Sequence, residues 1–309
     1  YFRPAQHARG RMISASHGVY TAVFPRPTDT RIMTNAAITF IGAGNMASSI
    51  IGGLMDSGHS AAALHAADPS PASLANLRKL GPINVHNDNA QACANADVII
   101  LAVKPQAMHA ALASIATAVR ARGALVISIA AGTTVASMEN ALGSGTAIVR
   151  CMPNTPALLG AGASGLYANA QVNAEQRALA ANILGAVGLV QWVDEESLLD
   201  AITALSGSGP AYFFLFMEAM INAGCAMGLS RDCATALTRQ TGLGAARMAL
   251  ESDVDLVELR RRVTSPGGTT ERAVECFEHE GLRDLVAHAM TAAQQRATDM
   301  AAESEQETP

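Results

Sequence analysis

The segment AITFIGAGNMASSIIGGL, residues 37–54, constrains the chain more than any other. It is an apolar strand that runs into a tight glycine turn and then a helix. Gly42 permits the turn, Gly44 lets the backbone approach a pyrophosphate, and Ala47 takes the helix-packing place of a G-x-G-x-x-A pattern. The unpaired N–H groups at the helix start then face a diphosphate. Such a pattern is weak alone and gains force from the strand before it and the helix after it. Asp68 adds to it by closing the next apolar run, LHAADPS, where the adenosine ribose of a dinucleotide is expected. A carboxylate there accepts bonds from the 2′ and 3′ hydroxyls and repels a 2′-phosphate, which favours NADH. Ser70 and Ser73 are able to bond a phosphate, so NADPH stays open as well.

From Ala37 to about Val193 short apolar runs (AITFIGAG, ALHAAD, ADVIILAV, ALVISIA, TAIVRCM) alternate with helix-like stretches, the pattern of βαβ units around a buried parallel sheet. After Asp194 the strand-like runs stop. Helical stretches are expected over 195–205, 210–228, 230–251, 254–262, 269–279 and 281–302. The expected organisation is therefore α/β: an N-terminal Rossmann dinucleotide-binding domain over 36–194, then an all-α C-terminal domain over 195–303 and a tail over 304–309. Residues 1–35 carry several arginines, one acid and no sustained periodicity. Their composition admits a transit peptide; the preferred reading is an upstream extension, with translation starting at Met33.

The stretch PAYFFLFMEAMINAGCAMGL, 210–229, is apolar for about the length of a membrane span, but Glu218 and Asn222 interrupt it and no second span accompanies it. It is expected to be a core or subunit-interface helix, which argues for a dimer and against a membrane protein. A net charge of −5 gives no reason to expect nucleic acid. Five cysteines without C-x-x-C spacing, eight scattered histidines and no H-E-x-x-H point away from a disulfide framework or a metal site. They fit a reducing, cytoplasmic compartment.

Further loops fall on the same rim of the expected sheet. LAVKPQ, 101–106, closes a strand and places Lys104 to touch cofactor or substrate, unless it is an ordinary surface lysine; SIAAGTT, 128–134, and CMPNTP, 151–156, close the next two strands. VTSPGGTT, 263–270, is a turn that opens the helix TTERAVECFEH. The first N–H groups of that helix form an anion site, and a threonine hydroxyl can bond a polar ligand atom. The competing reading is a plain capping turn with Thr269 as N-cap. Arg260-Arg261-Arg262 reads as a solvated helix face or a local anion contact.

IGAGNMA, LAVKPQ, SIAAG, RCMPNTP, LSGSGPAY and VTSPGGTT, in this order and at these spacings, resemble the pyrroline-5-carboxylate reductase family over residues 37–302. The resemblance implies reduction of the cyclic imine 1-pyrroline-5-carboxylate to L-proline with NADPH or NADH. It also implies a helical domain that builds an intertwined homodimer, often assembled further into decamers. The implied cofactor contacts are Ile41, Gly42, Ala43, Gly44, Asn45, Met46, Asp68, Asn89, Ala102, Val103, Lys104, Pro105, Ile129, Ala130 and Ala131. The implied substrate residues are Glu196, Arg262, Ser265, Gly268, Thr269 and Thr270, with Thr270 nearest the reactive nitrogen; Thr270 and Lys104 are the catalytic candidates. Arg262 stands where some members have asparagine, Asp68 where some have serine, and residues 1–35 have no counterpart. A β-hydroxyacid dehydrogenase of the 6-phosphogluconate type is the first alternative, but it needs a lysine in its second domain and none follows Lys104 here. A non-catalytic NAD(P)-sensing module is the other, against which the SPGGTT anion turn argues.

Overall fold

A computed structural model describes residues 36–306; the expected extension over 1–35, with its start at Met33, lies outside the described residues, as do 307–309. The chain runs β1 (Ile38–Ile41), α1 (Asn45–Asp56), β2 (Leu64–Ala67), α2 (Pro71–Arg78), β3 (Asn84–His86), α3 (Asn89–Cys93), β4 (Val98–Leu101), α4 (Met108–Arg122), β5 (Leu125–Ser128), α5 (Val135–Leu142), β6 (Ile148–Met152), β7 (Gly162–Ala168), α6 (Ala174–Gly185) and β8 (Gly188–Trp192). Six helices follow: α7 (Leu198–Ile202), α8 (Gly209–Ala226), α9 (Arg231–Glu251), α10 (Leu256–Arg262), α11 (Thr269–His279) and α12 (Leu282–Gln306).

The strands form one sheet in the order β3-β2-β1-β4-β5-β6-β7-β8. Every pair is parallel except β6 with β7. The central strands are apolar without alternation because both faces are covered. Ile38 and Phe40 pack with Ile50, Ile51 and Leu54 of α1 on one face. Ile41, Ile99 and Leu101 pack with Leu112, Ile115 and Val119 of α4 on the other. Each such fully buried side chain contributes about 1.5–3 kcal/mol.

Three strands lie outside the five apolar runs of the sequence. β3 is only NVH and half-buried. β8, GLVQW, is an edge strand that alternates half-buried with exposed. β7, GASGLYA, is nearly without large side chains, for a packing reason: a Cβ on Gly165 would lie 2.3 Å from a methyl of Ile202 in α7. The small residues of β7 thus seat the first helix of the following half. Its antiparallel pairing departs from the all-parallel sheet the sequence suggests.

The expected break between helices 195–205 and 210–228 is instead a π-helical turn over Thr203–Gly207, closed by Ser208 N–H donating to Thr203 O at 2.8 Å. Tyr212 Oη donates back to Ala204 O at 3.0 Å. α8 and α9 pack as a hairpin, while α12 covers α7 and the π turn and continues to Gln306, into the expected tail. Among the described residues no helix is long and apolar enough to cross a membrane. Yet of α8 only Gly209 is buried, and Phe213, Phe214 and Leu215 stand exposed on the single chain.

Candidate active site

The sheet order reverses at β1: the chain leaves β1 for β2 on one side and later reaches β4 on the other. Ligands of open α/β sheets bind at such a switch, outside the carboxyl ends of the strands. Here those ends are stitched into a stair. Gly42 N–H donates to Ala67 O at 2.8 Å, Ala102 N–H to Ile41 O at 2.8 Å, and Ile129 N–H to Leu101 O at 3.1 Å.

Gly42 has φ +100, and a Cβ on it would lie 2.5 Å from Ala102 O. Only glycine brings the β1 turn this close to the end of β4. Gly44, by contrast, faces open space and caps α1 without a side-chain bond. No acidic residue occupies the first turn of α1. The N–H groups of Asn45 and Met46 are therefore presented to an incoming anion. These features fit the diphosphate of a dinucleotide, with Ala47 fully buried beneath as the packing position.

Asp68 lies just past β2, and its carboxylate bridges two loops. One oxygen accepts Ala43 N–H at 2.8 Å and the other accepts Ser70 N–H at 2.8 Å. Asn89 opens α3 and donates to Ser114 Oγ at 3.0 Å. Lys104 is exposed at the start of a short 3₁₀ turn after Ala102 and Val103, with Pro105 as the first residue of that turn. Ile129, Ala130 and Ala131 follow β5 half-buried, and a Cβ added to Gly132 behind them would lie 3.4 Å from Met300 O in α12.

The SPGGTT turn belongs to the helical half. Gly267 has φ +71, and its N–H donates to Glu271 Oε2 at 2.7 Å. Gly268 N–H donates to Ser265 O at 3.0 Å. Gly268, not Thr269, is the N-cap, and it makes no side-chain cap; Thr269 and Thr270 are the exposed first two residues of α11. The capping-turn alternative thus lacks its hydrogen bond, and the threonine hydroxyls point to no described partner. Arg262 is held by Glu258 at 2.8 Å, and Arg261 shares the same carboxylate, which these two guanidiniums hold down to about 2. Arg260 meets Glu278 instead, so the basic run is divided between two acids.

Among the described residues, the bonds of Glu196 reach neither the SPGGTT turn nor Lys104. Glu196 caps α5 by accepting Val135 N–H at 2.8 Å and meets Arg150 Nη1 at 2.5 Å. Arg150, in the middle of β6, keeps only 9% of its side-chain surface exposed. Sequence reasoning did not single it out, although an arginine inside the apolar run TAIVRCM was the available signal: a buried charge needs a partner. Glu196 is that partner, so this pair fastens the start of the helical half to the sheet. Among the described residues, α11 makes its substantial packing against α12, not against the strand ends. The diphosphate turn and the Thr269–Thr270 turn are two separate features of one chain.

Residues 196–300 match the family described as pyrroline-5-carboxylate reductase dimerisation. Residues 37–132 match the family described as NADP oxidoreductase, coenzyme F420-dependent. The pyrroline-5-carboxylate reductase of Pseudomonas aeruginosa is 54% identical over 269 residues, covering 87% of this chain and 98% of its own. That of Escherichia coli is 39% identical over 255 residues, covering 82% and 94%. The solved pyrroline-5-carboxylate reductase of Coxiella burnetii superposes with a TM-score of 0.84 at 46% identity, over 86% of this chain and 99% of its own. The Plasmodium falciparum pyrroline carboxylate reductase, solved with NADP bound, superposes with a TM-score of 0.76 at 30% identity, over 87% and 99%.

Proposed function

The chain belongs to the pyrroline-5-carboxylate reductase family, and on that premise we propose that it reduces 1-pyrroline-5-carboxylate to L-proline with NADPH or NADH. The observation that carries this reading is the pairing of an open, uncapped diphosphate turn at Gly42–Met46 with an uncapped, threonine-bearing helix start at Gly268–Thr270.

A reduced nicotinamide, when bound, would supply a hydride to the C=N carbon, and the chain's own residues would bind and orient the two reactants. The Gly42–Met46 turn and the N–H groups of α1 would hold its diphosphate. Ala102 to Pro105 and Ile129 to Ala131 line the crevice that leads to the reacting end. The first N–H groups of α11 hold the substrate carboxylate, a single negative charge, at the positive end of that helix. The Glu271 side chain already occupies Gly267 N–H, which leaves Thr269 and Thr270 as the donors nearest the helix start. The Thr270 hydroxyl bonds the imine nitrogen and fixes the ring; an imine basic enough to arrive protonated needs no strong protein acid. Most of the rate gain then comes from alignment of two atoms. Lys104 is the competing proton source.

The chain is a homo-oligomer through its dimerisation helices. The helix start of one copy serves the crevice of another, because α11 packs away from its own sheet. The dimer is the unit of activity, decamers are built from it, and the cytoplasm is its compartment, in keeping with five unpaired cysteines.

The test is a cofactor-oxidation assay with purified protein, pyrroline-5-carboxylate and each reduced cofactor. The expected result is loss of nicotinamide absorbance matched by L-proline formation. No oxidation with either cofactor overturns the assignment.

A further inference from the structure

We infer that Asp68, together with the spent backbone donors of the first turn of α2 and the lack of a cation beside it, makes this chain select NADH over NADPH. The inference rests on the reading of the β1 switch point as a dinucleotide crevice. The two cofactors differ there by one group: a 2′-hydroxyl against a 2′-phosphate of about −1.5 to −2 charge near neutral pH.

Asp68 follows β2, where the adenosine ribose of a Rossmann ligand lies. Its carboxylate cannot swing aside. Ala43 N–H, from the diphosphate turn, holds one oxygen at 2.8 Å, and Ser70 N–H holds the other at 2.8 Å. Each carboxylate oxygen keeps a second lone pair. A ribose diol brings two O–H donors to such a group, whereas a 2′-phosphate brings acceptors only, beside a fixed like charge.

A 2′-phosphate needs backbone donors or a cation to offset that charge; the loop has no cation and its backbone donors are nearly all spent. Ser70 N–H is taken by Asp68. Pro71, the first residue of α2, has no N–H to give. Ser73 N–H donates to Ser70 Oγ at 3.3 Å, so this backbone donor is spent too; the Ser70 and Ser73 hydroxyls keep their own protons but carry no charge to offset Asp68. Ala72 N–H alone is left in that turn. No lysine or arginine occurs between Asp68 and Leu77. Arg78 and Lys79 stand at the far end of α2, about 10 Å along the helix, and Lys79 Nζ donates to Asn76 Oδ1 at 2.9 Å. The ring of His86, at the end of the neighbouring β3, is paired with His65 at 3.2 Å.

The experiment is direct titration of the full-length protein with NADH and with NADPH by nicotinamide fluorescence, without substrate, for wild type, Asp68→Ser and Asp68→Asn. Wild type is expected to bind NADH roughly tenfold or more tightly than NADPH, and both variants to shift that ratio towards NADPH by roughly tenfold. Asp68→Asn keeps an acceptor for one of the two loops, so it guards against loss of the turn in Asp68→Ser. Wild type that binds NADPH as tightly as NADH overturns the inference, even if neither variant folds. So does an equal loss of both cofactors in the variants, which would make Asp68 a loop brace only. NADH-selective binding without turnover of pyrroline-5-carboxylate would instead sink the proposed reaction and leave this inference standing.

Discussion

The sheet half and the helical half of this chain are apolar to different ends. In the sheet half Phe40, Ile50, Leu54 and Ile100 are fully buried, and the chain's own helices α1 to α6 close both faces. In the helical half Phe213, Phe214 and Leu215 are 69%, 65% and 68% exposed, although α8 is among the most apolar helices of the chain. One half is finished within one copy, and the other is finished only by a second. Sequence hydrophobicity reports that a surface will be covered; it does not report by which molecule.

The sharpest way to break that contrast is to charge the open half. Phe214→Glu is expected to leave a monomer, because an unpaired charge in a desolvated interface is strongly unfavourable. Activity should fall about 100-fold or more while cofactor affinity stays within a few-fold. Light scattering alongside turnover and cofactor titration decides it; an active oligomer would end the claim that α8 is an interface.

Gly42→Val strikes the closed half instead. Its φ of +100 and the 2.5 Å approach to Ala102 O leave no room for a side chain. Cofactor affinity should drop by roughly 100-fold with the oligomer intact. An unchanged dissociation constant would remove this turn from the cofactor site.

Thr270→Ala should lower kcat/KM by about 10- to 100-fold and spare cofactor affinity. Wild-type turnover would exclude Thr270 and shift attention to Lys104, for which Lys104→Met is the matching probe. Arg150→Met tests the joint between the halves. It removes the buried partner of a carboxylate that keeps 28% of its side-chain surface exposed. After discounting for that exposure, the loss should be about 1–3 kcal/mol, read as a lower denaturant midpoint.

The smallest effect is expected on the surface of α10. Arg261 and Arg262 hold Glu258 down to about 2, so its contribution is complete above the ordinary carboxylate range and is lost as pH falls through about 2. The ion pairs lie at the solvent surface, with 28% of the Glu258 side chain exposed, so moderate salt should largely abolish the difference that wild type and Glu258→Gln show above the ordinary carboxylate range. A salt-insensitive difference would mean that α10 is covered in the oligomer.

Much of the sheet half was legible because its signals are local. Gly42, Gly44 and Ala47 sit at fixed offsets, and β1, β4 and β5 are continuous apolar runs. β7 was not legible, since its glycines are set by Ile202, distant in the chain, and β3 and β8 are short edge segments. The π turn at Thr203–Gly207 escaped because SGSG reads as a loop, whereas α12 packs over it and holds it helical. At the site, Asp68 was visible by position, but its bonds to Ala43 and Ser70 were not. Nor was Arg150 with Glu196, because a pair 46 residues apart has no local signature.

The closed half also comes first in the chain. A ribosome therefore releases a sheet that has already sealed its core, followed by helices that must wait for a second copy. That waiting step is second order in chain concentration. Active enzyme should accordingly lag translation most when synthesis is slow, and dilution should lower the apparent melting point of the helical half by mass action. The exposed face of α8 thus makes the supply of chains itself a setting of enzyme output.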